Sequence, residues 1–286
     1  MMVLIILSAV LMLAFQCAVS DVVDNFGKCT KYFMAGQPPQ IEGILVDSKS
    51  ADQNRYKIIC QGAKKVYTFA TLYDTTSRIP VFSAYKYSGK GKFSRPNTSN
   101  WKIEPQLQQN EQATNKDYKN NNLNVNRGHL FPSCHAKDFT TAKSTFILTN
   151  AVPQKMHFNN GSWARMEQCT KHLMDKHCLN MSNKVSAYVL TGAVPGNNKL
   201  NNRVNIPSMM WMAFCCCDSN TNSCFSKAHW APNEDDENKN KTIQMKSLKE
   251  LQDHLKNIWV KELKLFNDKC LTDKSVKTNL PPKCKV

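Results

Sequence analysis

Eleven cysteines beyond the first twenty residues, at positions 29, 60, 134, 169, 178, 215, 216, 217, 224, 270 and 284, set the terms on which this chain folds. At that density, in an oxidising compartment, they imply several disulfides, and the odd number leaves at least one thiol free or paired between chains. The compartment is read from the start of the chain. Residues 1–20 carry no charged side chain, contain the run Val-Leu-Ile-Ile-Leu-Ser-Ala-Val-Leu-Met-Leu-Ala-Phe and end in Ala18-Val19-Ser20. This is the pattern of a secretory signal peptide, whose removal near Asp21 would take a twelfth cysteine, Cys17, with it. The competing reading is an uncleaved anchor, but the run is short for a bilayer span and lacks a basic flank. A secreted, extracellular protein with no stable membrane insertion is therefore expected. Cys169, His172, His177 and Cys178 lie close in sequence, yet they lack paired Cys-x-x-Cys knuckles, so disulfides are expected there rather than zinc. Sequons at Asn97, Asn160, Asn180 and Asn240 fit a secreted glycoprotein.

The 286 residues are 41% hydrophobic, enough to bury a full core. Neither repeats nor a linker divides them, and a single domain over 21–286 with disulfide-linked terminal extensions is expected. A formal charge of +16, spread along the chain, favours polyanionic partners and names no chemistry. Strand-like runs fall at 66–72, 81–87, 145–149, 186–191 and 209–216. Helical patterns run from about 162 to 177 and from about 248 to 265, the second opening with Ser247 and Glu250 in capping-box spacing. The polar stretches 106–122 and 233–241 read as surface loops. Strands and helices without regular alternation point to an α+β domain.

The chemistry concentrates in two blocks. The first is Asn126-Arg127-Gly128-His129, where glycine is expected to let the backbone turn so that a cation and an imidazole face one pocket. The second runs through Leu148-Thr149-Asn150 and Pro153-Gln154 into Asn159-Asn160-Gly161-Ser162-Trp163-Ala164-Arg165-Met166-Glu167. Together, with thirty residues between His129 and Asn159, these blocks closely resemble the DNA/RNA non-specific endonucleases, the ββα-metal family. Weaker similarity continues through Thr191-Gly192-Ala193 and the helix at Ser247. Upstream, Arg78-Ile79-Pro80-Val81 is similar to the vertebrate endonuclease domain-containing 1 group, so that roughly residues 60–265 are covered. The resemblance implies a His-Me finger fold with a central, mainly antiparallel sheet flanked by helices. It also implies hydrolysis of DNA and RNA with little regard to sequence, leaving 5′-phosphate ends.

Phosphodiester hydrolysis needs a base for water, stabilisation of the charge on phosphorus, and help for the leaving oxygen. His129 suits the base, since a near-neutral imidazole accepts a proton from water and contributes about 10²–10⁴ in rate. The family's metal-binding Asn falls at Asn159, and a neutral carboxamide oxygen suits a hard divalent cation, Mg²⁺ or alternatively Mn²⁺ or Ca²⁺. Arg127 would orient or stabilise the phosphate. If a helix starts near Asn159, then Asn159, Trp163 and Glu167 share one ridge, which would place Glu167 close enough to assist the metal while Trp163 packs in the core. Lys171, one turn on, matches a basic family position that contacts substrate, and Arg165 is expected on a solvated face. Two departures stand out. The family's motif usually begins with Asp where this chain has Asn126, which is nonetheless expected to contact substrate, and some bacterial relatives carry Arg where this chain has Ser99, a role Arg95 could fill. A glycan at Asn160 would obstruct the site. The alternative reading is a nuclease-fold protein, impaired in catalysis, that captures extracellular nucleic acid or sulfated glycans.

Overall fold

The computed structural model describes residues 20–63, 66–119, 121–218, 223–238, 240–271 and 284; the expected signal segment lies outside the described residues except for Ser20. Nine strands carry the architecture: β1 (Asp21–Val23), β2 (Tyr56–Ala63), β3 (Val66–Asp74), β4 (Ile79–Tyr87), β5 (Val125–His129), β6 (Ala151–Lys155), β7 (Ala187–Val194), β8 (Met209–Asp218) and β9 (Ser223–Pro232). Seven of them form an antiparallel sheet in the order β1-β2-β3-β4-β7-β8-β9. The other two, β5 and β6, pair only with each other. The main helices are α1 (Phe139–Ser144), α2 (Ala164–His177) and α3 (Leu248–Ile258).

The central sheet is covered on both faces, which is why β8 reads as an unbroken apolar run rather than an alternation. Along it Met210, Met212, Phe214 and Cys216 enter the core beneath α2 and the β5–β6 ribbon. Met209, Trp211, Ala213 and Cys215 enter the opposite core with α3 and the N-terminal segment around Phe26 and Phe33. The same two-residue period directs the three consecutive cysteines. Cys216 bonds Cys178 at the end of α2, Cys215 bonds Cys270 on the other face, and Cys217 bonds Cys224 directly opposite on β9. Cys29–Cys60 pins the N-terminal segment to β2, and Cys169–Cys284 ties α2 to the C-terminal end. These pairings use both cysteines of the apparent zinc cluster and leave Cys134 as the free thiol among the described residues.

Three local expectations are corrected. Residues 145–149 form no strand; only Ile147 makes an isolated bridge, to Lys102, before a 3₁₀ turn at Leu148–Asn150. Side chains explain it: Thr145 donates to the Ala142 carbonyl and Asn150 donates to the Thr145 carbonyl, so the segment curls instead of joining a ladder. The late helix keeps its expected capping box but stops at Ile258, after which Leu263–Lys264 pairs with Gln40–Ile41. Nor is 106–122 merely a surface loop. Gln112 is fully buried and donates to the Glu104 and Leu107 carbonyls, while Arg203 pairs with Asp117 at 3.0 Å. Among the described residues no helix is long and apolar enough to cross a membrane.

Candidate active site

The β5–β6 ribbon and the helical segment that follows it build the site. Arg127 and His129 are two residues apart on β5 and so project from one face of the ribbon. Gly128 does not make the turn expected of it; it lies mid-strand. A Cβ there would sit 2.1 Å from the Gln154 Oε1, so the glycine is required by the close approach of Gln154, fully buried on the neighbouring strand. The His129 ring packs against Trp101 at 4.3 Å and Phe146 at 4.7 Å between centroids, and 7% of the residue stays exposed. Its Nε2 is buried without a hydrogen-bond partner. Burial, reinforced by the nearby Arg95 and Arg127 guanidinium groups, holds the imidazole well below its ordinary pKa.

Trp101, Phe146, Asn126, Arg127, Asn159 and Arg95 line one open cleft of about 490 Å³. Arg127 is held over the Trp101 ring, 5.4 Å from its centroid, and donates to the Asn115 Oδ1 at 2.7 Å and the Ser99 carbonyl at 3.0 Å. Arg95 lies 5.3 Å from the centroid of Phe146, so a second guanidinium does reach the cleft although position 99 is serine. Asn97 and Asn160, each the acceptor of a sequon, also line it.

Asn159 opens a π-type turn, Asn159–Trp163, that precedes α2. The expected regular ridge through Asn159, Trp163 and Glu167 is therefore interrupted, because a π turn is wider than an α turn. The turn is held from far along the chain. Asp236 accepts from the Ser162 backbone N–H and hydroxyl, both at 2.6 Å, and pairs with Arg165 at 3.5 Å. It presses so close that a Cβ on Gly161 would lie 2.2 Å from its Oδ2. Arg165 is thus engaged with Asp236 and the Lys241 carbonyl rather than solvated. Asp235 accepts from the His157 N–H at 3.1 Å, so the loop expected at 233–241 is a clasp on the turn that carries Asn159. Trp163 is fully buried, as core packing requires.

Glu167 is half-buried, and its carboxyl is pushed up to about 8 by loss of water, against the opposing pull of Arg95, Trp163 and Cys134. The Cys134 thiol stands 3.8 Å from its Oε2. His135 holds the Glu167 carbonyl through Nε2 at 2.9 Å while its Nδ1 meets the Tyr85 hydroxyl at 2.7 Å. Lys171 is paired with Asp175 and is not among the residues lining the cleft. The motif reading also passed over Asn150. Its Oδ1 accepts from the Phe131 N–H and the Ser83 hydroxyl, both at 2.9 Å, and its amide donates back to the Phe131 carbonyl, locking the loop after His129 to the central sheet.

The family model for DNA/RNA non-specific endonucleases matches residues 49–261. The human endonuclease domain-containing 1 protein is 30% identical over 214 residues, 67% of this chain and 39% of that protein, so the chain matches well under half of that relative's length. The nuclease of Serratia marcescens is 32% identical over 124 residues, 40% of this chain and 44% of that one. A crystal structure of the EndoG/EndoGI complex includes a chain of like fold, with TM-score 0.50 and 17% identity, covering 63% of this chain and 79% of that one.

Proposed function

Because this chain belongs to the DNA/RNA non-specific endonuclease family, we propose that it is a secreted, divalent-cation-dependent endonuclease cutting DNA and RNA without reading bases, its single domain spanning residues 21–286. The observation that carries the reading is convergence: Arg127 on β5 and Asn159 on the following turn line one cleft, and His129 packs against two of its walls, Trp101 and Phe146. Five disulfides among the described residues accord with an oxidising compartment.

The donors present suit a hard cation such as Mg²⁺. The Asn159 carboxamide makes no hydrogen bond to another described residue, which leaves its oxygen available, whereas Glu167, which does not line the cleft and whose carboxyl is raised to about 8, would have to give up its proton before serving the ion. An ion held there would neutralise charge on the phosphate and on the leaving oxygen. His129 takes the proton from the attacking water as the new P–O bond forms and the bond to the 3′ oxygen breaks. Burial keeps the imidazole unprotonated, and the transfer requires water to reach its Nε2, which is enclosed beside Trp101 and Phe146 and does not itself line the cleft. Arg127, fixed by Asn115 and Ser99, orients the phosphate, with Arg95 adding a second positive charge; Asn126 borders the same cleft. Lys171 would reach substrate only by exchanging its ion pair with Asp175.

The test is nicking of supercoiled plasmid by purified protein with Mg²⁺, beside His129→Ala and Asn159→Ala. Loss of at least about 10²-fold in each variant, with unchanged thermal melting, is expected. Persistent nicking in both rejects the assignment.

A further inference from the structure

We propose that a second groove, outside the catalytic cleft, binds a single-stranded nucleic-acid segment by its phosphates and bases and leads it toward that cleft. The groove, of about 610 Å³, is lined by Lys31, Lys86, Lys137, Tyr67, Tyr188 and Phe131, among others. Its three lysines are exposed, and none forms an ion pair among the described residues. The acidic side chain on its wall, Asp138, is already committed to capping α1, accepting from the Thr141 N–H at 2.7 Å. Lys86 and Tyr188 face each other across β4 and β7, the ammonium 5.5 Å from the ring centroid, and Lys31 lies 5.2 Å from that of Tyr32. Tyr67 and Tyr188 are half-exposed; Tyr188 presents part of its ring beside the Lys86 cation, while the Tyr67 hydroxyl donates to the Asp21 carboxylate. Cations that contact phosphates, interleaved with rings on which bases stack, are the means by which single strands are held without sequence preference.

The connection to the cleft is a stretch of chain with one sign of charge. From residue 75 to residue 103 there is no Asp or Glu, while Lys86, Lys90, Lys92 and Arg95 follow one another. Ser88 lies on the groove and Arg95 to Thr98 line the catalytic cleft, with exposed Lys90 and Lys92 between them. This segment runs alongside the loop that follows His129, Gly91 donating to the Ala136 carbonyl at 3.3 Å. A strand seated on the lysines is thus continued by positive charge toward Arg95 and Arg127. The tyrosine rings favour a strand whose bases offer π faces to stack over a sulfated sugar, whose ring has none.

The inference deepens the nuclease reading, and its test does not depend on cleavage. Fluorescence anisotropy of a labelled twenty-nucleotide oligothymidylate is measured on full-length His129→Ala protein, with and without Lys31→Ala, Lys86→Ala and Lys137→Ala together. The triple change should weaken binding about tenfold or more and reduce the slope of log affinity against log salt by about 2, as loss of three phosphate contacts requires. Tyr188→Leu should weaken it about fivefold with little change of slope. A six-nucleotide oligomer, too short to span both sites, should lose less than twofold. Unchanged affinity for the long oligomer in the triple variant overturns the groove, as does a loss confined to a heparin fragment run in parallel. If wild-type protein fails to nick plasmid while the binding loss is seen, the groove stands and the hydrolytic assignment falls.

Discussion

At the residue scale, Gly128 and His129 show how one backbone position protects another. Alanine at 128 would put a methyl group 2.1 Å from the Gln154 side-chain oxygen and 2.6 Å from its Cβ, so the two strands must part. Gly128→Ala should cost about 1–3 kcal/mol of stability, read by denaturant midpoint, and should lower turnover further because His129 is the next residue. The imidazole itself sets a pH expectation. Since burial first, then Arg95 and Arg127, hold it below its ordinary value, it stays unprotonated into mildly acidic solution, and the acid limb of kcat/KM should lie below pH 6.5. Arg95→Gln removes one of the two charges and should move that limb upward; a limb that stays in place would separate Arg95 from the base.

At the element scale, helix α2 was legible from its apolar period, whereas the β5–β6 ribbon was not, because its two strands are short and are interrupted by Gly128 and Pro153. Arg127, His129, Asn159 and Glu167 stand in a fixed order that the sequence carries on its surface. The π turn and its clasp were not legible, since Asp236 reaches Ser162 from 74 residues away and an acidic run such as Glu234-Asp235-Asp236-Glu237 looks like any solvated loop. Residues 145–149 misled for a related reason: their composition suits a strand, but Asn150 and Thr145 supply hydrogen bonds that outcompete a ladder. The clasp makes its own prediction. Asp236→Ala leaves the Ser162 N–H and hydroxyl without their acceptor at a cost of about 1–3 kcal/mol, and should reduce plasmid nicking more than melting temperature, because the loosened turn carries Asn159. Asp236→Asn, which keeps one acceptor, should recover part of the activity; equal effects of both changes on activity and melting would mean the clasp only stabilises.

At the scale of the whole molecule, two properties follow from what the fold buries. Besides His129, His135 and His229 are enclosed, each brought down to about 4 chiefly by burial. The unfolded chain protonates such residues near pH 6.5 while the folded chain resists, so their contribution is complete above 6.5 and is lost as pH falls toward 4, at about 1.4 kcal/mol per pH unit for each. Glu167 and Glu104, whose carboxyls are raised, run the other way, leaving a net loss on acidification. The denaturation free energy should therefore drop between pH 6.5 and 4.5, and His229→Gln should flatten that decline. The second property lies in the spread of the disulfides. Cys270 and Cys284 belong to the stretch beyond the exposed residues Glu237 and Asn238, yet their partners, Cys215 and Cys169, belong to the stretch before it. A protease that severs the backbone there would leave two fragments still joined by two covalent rivets. Such a molecule would keep its full mass while the grip on the turn that carries Asn159 slackened, so the amount of intact-sized protein would overstate the amount of protein with an ordered cleft.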